Sequence, residues 1–351
     1  MKQKMLILAV AAGALAMAST PAAACATCGC SVTSDAAAGL TTEAGWRLSL
    51  EYDYLDQSQL RRGTGTVAAS HVAAINDAGG QQEVEHDTIN RYTTLGIGYA
   101  LDADWSFRLL VPYVDRGHTT YGSSGNPLTP DQLSGATASG LGDAKLLVSY
   151  QGILPNHALG VQVGVKLPTG RYGGANADGS GTVGRNPVAF STGPIAHNSA
   201  PYNLLDTSLD PGTGSTDLIL GAYYFQPVSQ DFDAFANLQL QAAVSHKLDQ
   251  EDEDFRPGNQ ANLSFGLRYE ADPAFVPQVQ VNLTHRTSDQ GALADVNDTA
   301  GTVAYVSPGF SWALANKLQV YGFVQLPVYS NLQGYQLFPR WTAAAGVSYS
   351  F

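Results

Sequence analysis

The sequence predicts an all-β protein, a closed antiparallel transmembrane β-barrel of twelve strands preceded by a cleaved signal peptide. Three observations lead to this prediction. A short apolar run near the start is followed by small residues, strand-length segments alternate between apolar and polar residues, and the connections between those segments alternate between long and short. Lipid offers no hydrogen-bond partner to an open sheet edge, so strands that span a membrane must close into a barrel.

The first 24 residues have the features of a secretory signal peptide. Two lysines precede an apolar run from Met5 to Ala18, and three alanines end at Ala24. The run is too short for a transmembrane helix and leads into a cleavage site, so we expect cleavage after Ala24. The predicted organisation is therefore a signal peptide (1–24), a periplasmic N-terminal segment that contains the cysteines (25–44) and a barrel (45–351).

Composition excludes several other classes of protein. Hydrophobic residues make up 44% of the chain, yet no apolar stretch after the signal peptide is long enough for a helical membrane span. The net charge of −12 makes nucleic acid an unsuitable partner. The sequence contains no serine-hydrolase elbow, zinc-protease helix motif or phosphate-binding loop, so we expect no enzymatic activity and no cofactor.

Alternation of apolar and polar residues is clearest in β-strand segments such as 46–54, 105–113 and 261–269. Applied to the whole chain, it predicts strands at 45–56, 88–100, 104–115, 141–151, 158–167, 215–226, 232–247, 259–270, 275–286, 302–314, 318–329 and 340–351. A soluble β-sandwich would not require this regularity.

The predicted connections fall into two classes that alternate along the chain. The long ones are 57–87, 116–140, 168–214, 248–258, 287–301 and 330–339, and the short ones are 101–103, 152–157, 227–231, 271–274 and 315–317. Bacterial outer-membrane barrels have short periplasmic turns and long outer loops, so we expect both termini in the periplasm. The longest connection, 168–214, is expected to fold back into or over the mouth.

The last strand carries a further signal. Trp341, Val347, Tyr349 and Phe351 share one face, and the chain ends on an aromatic residue. This resembles the C-terminal signal of bacterial outer-membrane barrels, which the barrel insertion machinery reads. The expected partners are therefore that machinery, outer-membrane lipid and lipopolysaccharide, with a small-molecule solute in the lumen.

Alternation also assigns charged side chains of both signs to the inner face. The candidate lumen-lining residues are Arg47, Glu51, Asp53, Arg108, Asp143, Lys145, Lys166, Lys247, Arg268, Glu270 and Arg286, with Gln278, Gln280 and Asn282 among the polar residues between them. A twelve-stranded barrel has a narrow lumen, which these groups could line or, as salt bridges, could seal. Tyr321 and Phe323 also face inward in one register, which would suit an aromatic or amphipathic solute.

Two groups of residues leave a metal-binding role open. Cys25, Cys28 and Cys30 could bind a soft metal, two of them could form a disulfide, or Cys25 could be acylated. Six histidines, among them His118 and His285, fall on the outer loops or outer strand ends, where a metal could be captured but where polar residues are also common.

Three segments resemble a known family. Gly140-Leu-Gly-Asp-Ala-Lys145, Val165-Lys-Leu-Pro-Thr-Gly170 and Pro211-Gly-Thr-Gly-Ser-Thr-Asp217 are similar to the outer-membrane transporters named for the phenol meta-degradation pathway. Val111–Arg116 and the cysteine cluster are similar to a subgroup of that family with a cysteine-rich N-terminus. The resemblance implies an outer-membrane channel for passive passage of small, aromatic or amphipathic solutes. A metal-handling outer-membrane protein and a sealed structural barrel are the alternatives.

Overall fold

A computed structural model describes residues 44–351, except residue 81 and residues 124–126, 176–180 and 197–208. The predicted signal peptide and the three cysteines therefore lie outside the described residues. Among the described residues, no helix is both long and apolar enough to span a lipid bilayer.

The described chain is almost entirely β-structure. Its strands are β1 (Gly45–Gly63), β2 (Gly65–Thr66), β3 (Glu85–Ala100), β4 (Trp105–Thr120), β5 (Ser134–Leu141), β6 (Ala144–Tyr150), β7 (Leu159–Leu167), β8 (Tyr172–Ala175), β9 (Thr182–Arg185), β10 (Phe190–Thr192), β11 (Ser215–Pro227), β12 (Phe232–His246), β13 (Gln260–Tyr269), β14 (Phe275–Arg286), β15 (Gly301–Ala315) and β16 (Leu318–Ser350). Helix α1 (Ala69–Asp77), helix α2 (Gly193–Ala196) and a 3₁₀ turn (Pro130–Gln132) lie in the long connections.

Eleven of these strands form a closed antiparallel ring, which confirms the predicted all-β closed barrel but not the predicted count of twelve strands. The order around the ring is β1, β3, β4, β6, β7 and then β11 to β16, and β16 pairs with β1. Trp46 and Phe351 exchange two backbone hydrogen bonds of 2.9 Å at this seam. Three short strands of the same sheet, β2, β5 and β10, lie outside the ring, and β8 and β9 form a separate hairpin.

Strand β16 differs from the sequence prediction. It includes both predicted strands 318–329 and 340–351, and the predicted loop 330–339 between them is extended chain. Strands β1 and β4 also continue to Gly63 and Thr120, into the predicted long connections. Beyond the apolar segment the outer face of these strands lies in water and does not need apolar residues. The sequence there does not alternate, so it did not reveal that the strands continue.

The outer face of the ring carries a wide apolar band. Aromatic pairs on neighbouring strands mark its short-turn end: ring centroids are 4.8 Å apart for Trp46 and Tyr99 and 4.7 Å apart for Trp105 and Tyr150. Nearer the long connections, Tyr54 and Trp341 form another pair at 5.6 Å. Trp46 and Tyr54 are about 26 Å apart along the strand, which at a tilt of about 40° is about 20 Å along the barrel axis, close to the height of the apolar band of outer-membrane barrels.

Glycines on the inner face make room for aromatic side chains. A Cβ at Gly309 would lie 2.2 Å from the Phe323 ring, and a Cβ at Gly346 would lie 2.2 Å from the Tyr321 ring. Tyr321 and Phe323 are only 2% and 3% exposed, so both lie inside the barrel, as one register of the sequence predicted. These rings narrow the lumen next to β15 and β16.

Two long connections pack against the strands that extend beyond the apolar band. Helix α1 buries Val72 against Leu60, Val84 and Tyr335. In the connection 168–214, β10 pairs with β5, and Val188 packs against Ala136 and Ala138. Its described part therefore folds back onto the barrel.

Candidate functional site

The structure places most of the predicted lumen-lining residues on the inner face or at its ends. Glu51, Asp53, Asp143, Lys166, Arg268 and Arg286 are buried, whereas Arg47, Arg108, Lys145 and Glu270 are partly buried. Lys247 follows the end of β12 and is exposed, so it does not belong to the strand in which the sequence placed it. Glu270 follows the end of β13, where its carboxylate lies 2.9 Å from Arg268. The polar side chains inside the barrel form several groups that are separate from one another.

One group, here called the lysine clasp, consists of Asp143, Lys166 and Asp217. Lys166 Nζ lies 3.1 Å from a carboxylate oxygen of each aspartate and 2.9 Å from the Ser215 hydroxyl, to which it donates a hydrogen bond. Lys166 and Asp217 are direct neighbours across β7 and β11, and Asp143 lies between β5 and β6. Buried charges are stable when they are paired and hydrogen-bonded, which is the case here.

The lysine clasp joins the three segments that resemble the transporter family. Asp143 accepts backbone hydrogen bonds from Gly170 (3.1 Å) and Thr213 (2.9 Å). At Gly170, an added Cβ would lie 2.7 Å from the Gly212 Cα, so a side chain at this position would collide with backbone. These contacts fix both ends of the connection 168–214 to the barrel, which is a structural role.

A different arrangement follows the inner face of β14, where Gln278, Gln280 and Asn282 form what we call the amide ladder. All three side chains are buried. Both amide atoms of Gln278, Nε2 of Gln280 and Oδ1 of Asn282 have no hydrogen-bond partner among the described residues. Tyr305 on β15 lies directly opposite Asn282 and stacks on Phe338 of β16 with a centroid distance of 6.4 Å. Unpartnered amides thus lie beside stacked aromatic rings inside the barrel.

Near the long connections, a cavity of about 70 Å³ lies inside the barrel; we call it the loop-end cavity. It has room for about two water molecules. Its lining is rich in charge and includes Glu83, Glu85, Arg116, His118, Leu209, Arg286, Asp295 and Asp298. Leu209 belongs to the connection 168–214, so the end of that loop reaches the mouth of the barrel.

His118 is a buried ionisable group in the lining of this cavity. It is 3% exposed, its Nδ1 lies 2.7 Å from the Thr88 hydroxyl, and its Nε2 lies 3.5 Å from a Glu83 oxygen. Burial raises the pKa of Glu83, but its polar contact with His118 outweighs that effect and holds the pKa below its usual value. The sequence placed His118 at the outer strand end; Glu83 and Glu85 were missed because they precede the recognisable alternation of β3.

Residues 201–351 match the model of a family described as "Putative MetA-pathway of phenol degradation". This match confirms the resemblance over the C-terminal part of the chain, whereas the cysteine-rich subgroup stays a prediction. No curated protein sequence matches the chain.

Solved structures share the fold. An outer-membrane channel from Pseudomonas putida F1 is 12% identical and superimposes with a TM-score of 0.58 over 89% of this chain and 97% of that chain. Weaker likenesses include the monoaromatic hydrocarbon channel CymD (12% identity, TM-score 0.43, 88% and 89% covered) and the Ralstonia pickettii toluene transporter TbuX (9%, 0.42, 88% and 90%). The first likeness shows that the fold is that of an outer-membrane β-barrel.

Proposed function

We propose that this protein is an outer-membrane channel that lets small, aromatic or amphipathic solutes pass without energy input, and that it is not an enzyme. The observation that carries the proposal is the amide ladder beside the stacked rings of Tyr305 and Phe338. Buried amides without protein partners need water or a polar solute as a partner. Aromatic rings beside them offer an apolar surface to the rest of the solute.

The comparisons support this proposal. The solved structure from Pseudomonas putida F1 is described as an outer-membrane channel, and the matching family model is described by a pathway of phenol degradation. The wide apolar band of the outer face agrees with an outer-membrane location and with outer-membrane lipid and lipopolysaccharide as neighbours.

Conductance in planar lipid bilayers tests the channel. Gln280 faces the lumen at 1% exposure, and its neighbour Val279 faces outward at 43% exposure. We expect Gln280→Trp to reduce the conductance and Gln280→Ala to raise it, whereas Val279→Trp should leave it unchanged. Folded wild-type protein with neither conductance nor solute uptake into liposomes would instead indicate a sealed structural barrel.

We also infer that the ring has twelve strands, with β16 contributing two. Leu332 lies opposite Gly301 of β15 and opposite Gly63 of β1, and pairing with β1 begins where pairing with β15 ends. Strands β1 and β15 run in opposite directions in the ring of antiparallel neighbours, so their antiparallel partners, residues 332–350 and 318–332, also run in opposite directions. At the short-turn end of these two segments, the backbone N–H of Ser350 donates a hydrogen bond of 2.9 Å to the carbonyl of Lys317.

This strand count supports both termini in the periplasm and the long connections outside the cell. An epitope tag inserted at 248–258 should bind antibody on intact cells. The same tag in the short turn 152–157 should bind only after the outer membrane is broken. The opposite labelling pattern would invert the orientation, and equal labelling of both tags on intact cells would contradict the topology.

A further inference from the structure

We propose that Glu83, Glu85 and His118 form a binding site for a divalent transition-metal ion of the Zn²⁺ class at the long-connection end of the barrel. One ligand atom from each of these side chains lies within 4.8 Å of the others. Ligands about 2.1 Å from a tetrahedral zinc ion are about 3.4 Å apart, so small rotations of the glutamates would close the site. One imidazole and two carboxylates are a ligand set that suits this class of ion.

The local strand geometry brings these three side chains together. Glu83 and Glu85 are two positions apart in extended chain and therefore share a face, while Val84 between them exchanges two backbone hydrogen bonds of 3.0 Å with Tyr121 and Gly122. His118 lies directly opposite Thr88 across β3 and β4. Two glutamates thus converge on the inward-facing ring of His118.

His118 supplies the observation that points to a ligand. It is buried, and its Nε2 has no hydrogen-bond partner among the described residues, since the Glu83 oxygen at 3.5 Å is beyond good hydrogen-bond range. Its Nδ1 meets the Thr88 hydroxyl at 2.7 Å. Metal-binding histidines commonly use one ring nitrogen for the ion and the other for such an orienting contact.

The charge of the loop-end cavity favours a cation. Four carboxylates and two guanidinium groups line it. Arg116 donates hydrogen bonds to Asn90 (2.6 Å) and Tyr92 (3.1 Å), and Arg286 donates one of 2.7 Å to Asp289. With His118 neutral, the charged groups of the cavity sum to −2, and a divalent cation would compensate this charge.

A bound ion would also connect two parts of the barrel mouth. The segment that carries Glu83 and Glu85 packs on helix α1 through Val84, and Glu85 accepts a hydrogen bond of 3.2 Å from the backbone of Leu337 on β16. His118 belongs to β4. An ion held by all three residues would therefore fix the first long connection to the wall of the barrel.

Calorimetric titration with Zn²⁺ alone tests the proposal. The chain should be refolded in detergent with Cys25, Cys28 and Cys30 changed to serine, so that thiolates cannot bind the ion. We expect one ion per chain and a loss of affinity of at least about tenfold in His118→Gln. His285→Gln is the matched control, since His285 is an exposed outer histidine whose Nδ1 also contacts a threonine hydroxyl at 2.8 Å.

A second variant guards against a failure of His118→Gln to fold. Glu83 is only partly buried, so Glu83→Gln should fold and should also weaken Zn²⁺ binding, with an unchanged circular dichroism spectrum. X-ray absorption of the loaded protein should show nitrogen and oxygen ligands only. The proposal is overturned if the cysteine-free protein does not bind Zn²⁺, or if the folded variants bind it as tightly as the His285→Gln control.

Discussion

The lysine clasp and the amide ladder are both buried and polar, yet they differ in how their polar atoms are satisfied. In the clasp, Lys166 meets two carboxylates and a hydroxyl at 2.9–3.1 Å. In the ladder, four amide atoms of Gln278, Gln280 and Asn282 have no partner among the described residues. A buried polar group without a protein partner costs free energy unless water or a solute provides one.

The two groups therefore have different roles: the clasp is structural, and the ladder belongs to the proposed solute path. The clasp satisfies itself and holds the ends of the connection 168–214, so it does not need a ligand. The ladder is incomplete without the contents of the lumen. Some of the buried charged residues that the alternation placed on the inner face therefore stabilise the fold and do not line the proposed solute path.

The largest expected effect comes from breaking the clasp. Lys166→Met should lower the free energy of unfolding by about 3–5 kcal/mol, because Asp143 and Asp217 would remain buried without a cation. Denaturant titration of the barrel in lipid vesicles or detergent measures this change. Lys247→Met is the control, since Lys247 is exposed, and should change the stability by less than about 0.5 kcal/mol. Similar losses in both variants would mean that the clasp is not a buried ion-pair network.

The next effect tests which face of the wall meets lipid. Phe265 is 51% exposed on the outer face of β13, and Ser264 next to it is partly buried and faces inward. Phe265→Arg should cost about 2–4 kcal/mol if this position lies near the bilayer midplane, and Ser264→Arg should cost much less. Denaturant titration in lipid vesicles compares the free energies of unfolding of the two variants. Equal costs would contradict the register and, with it, the inward placement of the amide ladder.

The sequence predicted the fold because lipid imposes a simple rule on every spanning strand. Phe265, Val279 and Trp341 are apolar where the chain faces outward, and this alternation located the strands. Outside the apolar band the rule no longer applies. The extensions of β1 and β4 and the extended chain at 330–339 within β16 were therefore missed, as was the convergence of Glu83 and Glu85 on His118.

In the sequence, the residues of the clasp could be recognised only as parts of motifs. Asp143, Lys166 and Asp217 lie in three segments that resemble the transporter family, but their mutual distances depend on the order of β6, β7 and β11 in the ring. The sequence placed Lys166 and Asp143 on the inner face as separate lumen residues. It could not show that they neutralise each other.

The smallest expected effect decides whether the lumen beside the amide ladder is wet. Gln278→Leu removes two amide atoms that have no partner among the described residues. If water fills this part of the lumen, the free energy of unfolding should change by less than about 1 kcal/mol, because the amide of Gln278 contacts water in both the folded and the unfolded protein. If the barrel is dry and sealed, the same change should stabilise it by about 1–3 kcal/mol, since an unsatisfied buried amide disappears. Asn282→Leu is the internal comparison: its Nδ2 donates a hydrogen bond of 2.8 Å to Ser307, and the loss of that bond should cost about 0.5–1.5 kcal/mol in a wet lumen, whereas in a dry barrel the removal of its unpartnered Oδ1 offsets this cost. A clear stabilisation by Gln278→Leu would therefore count against a water-filled channel even if the fold and the register are correct.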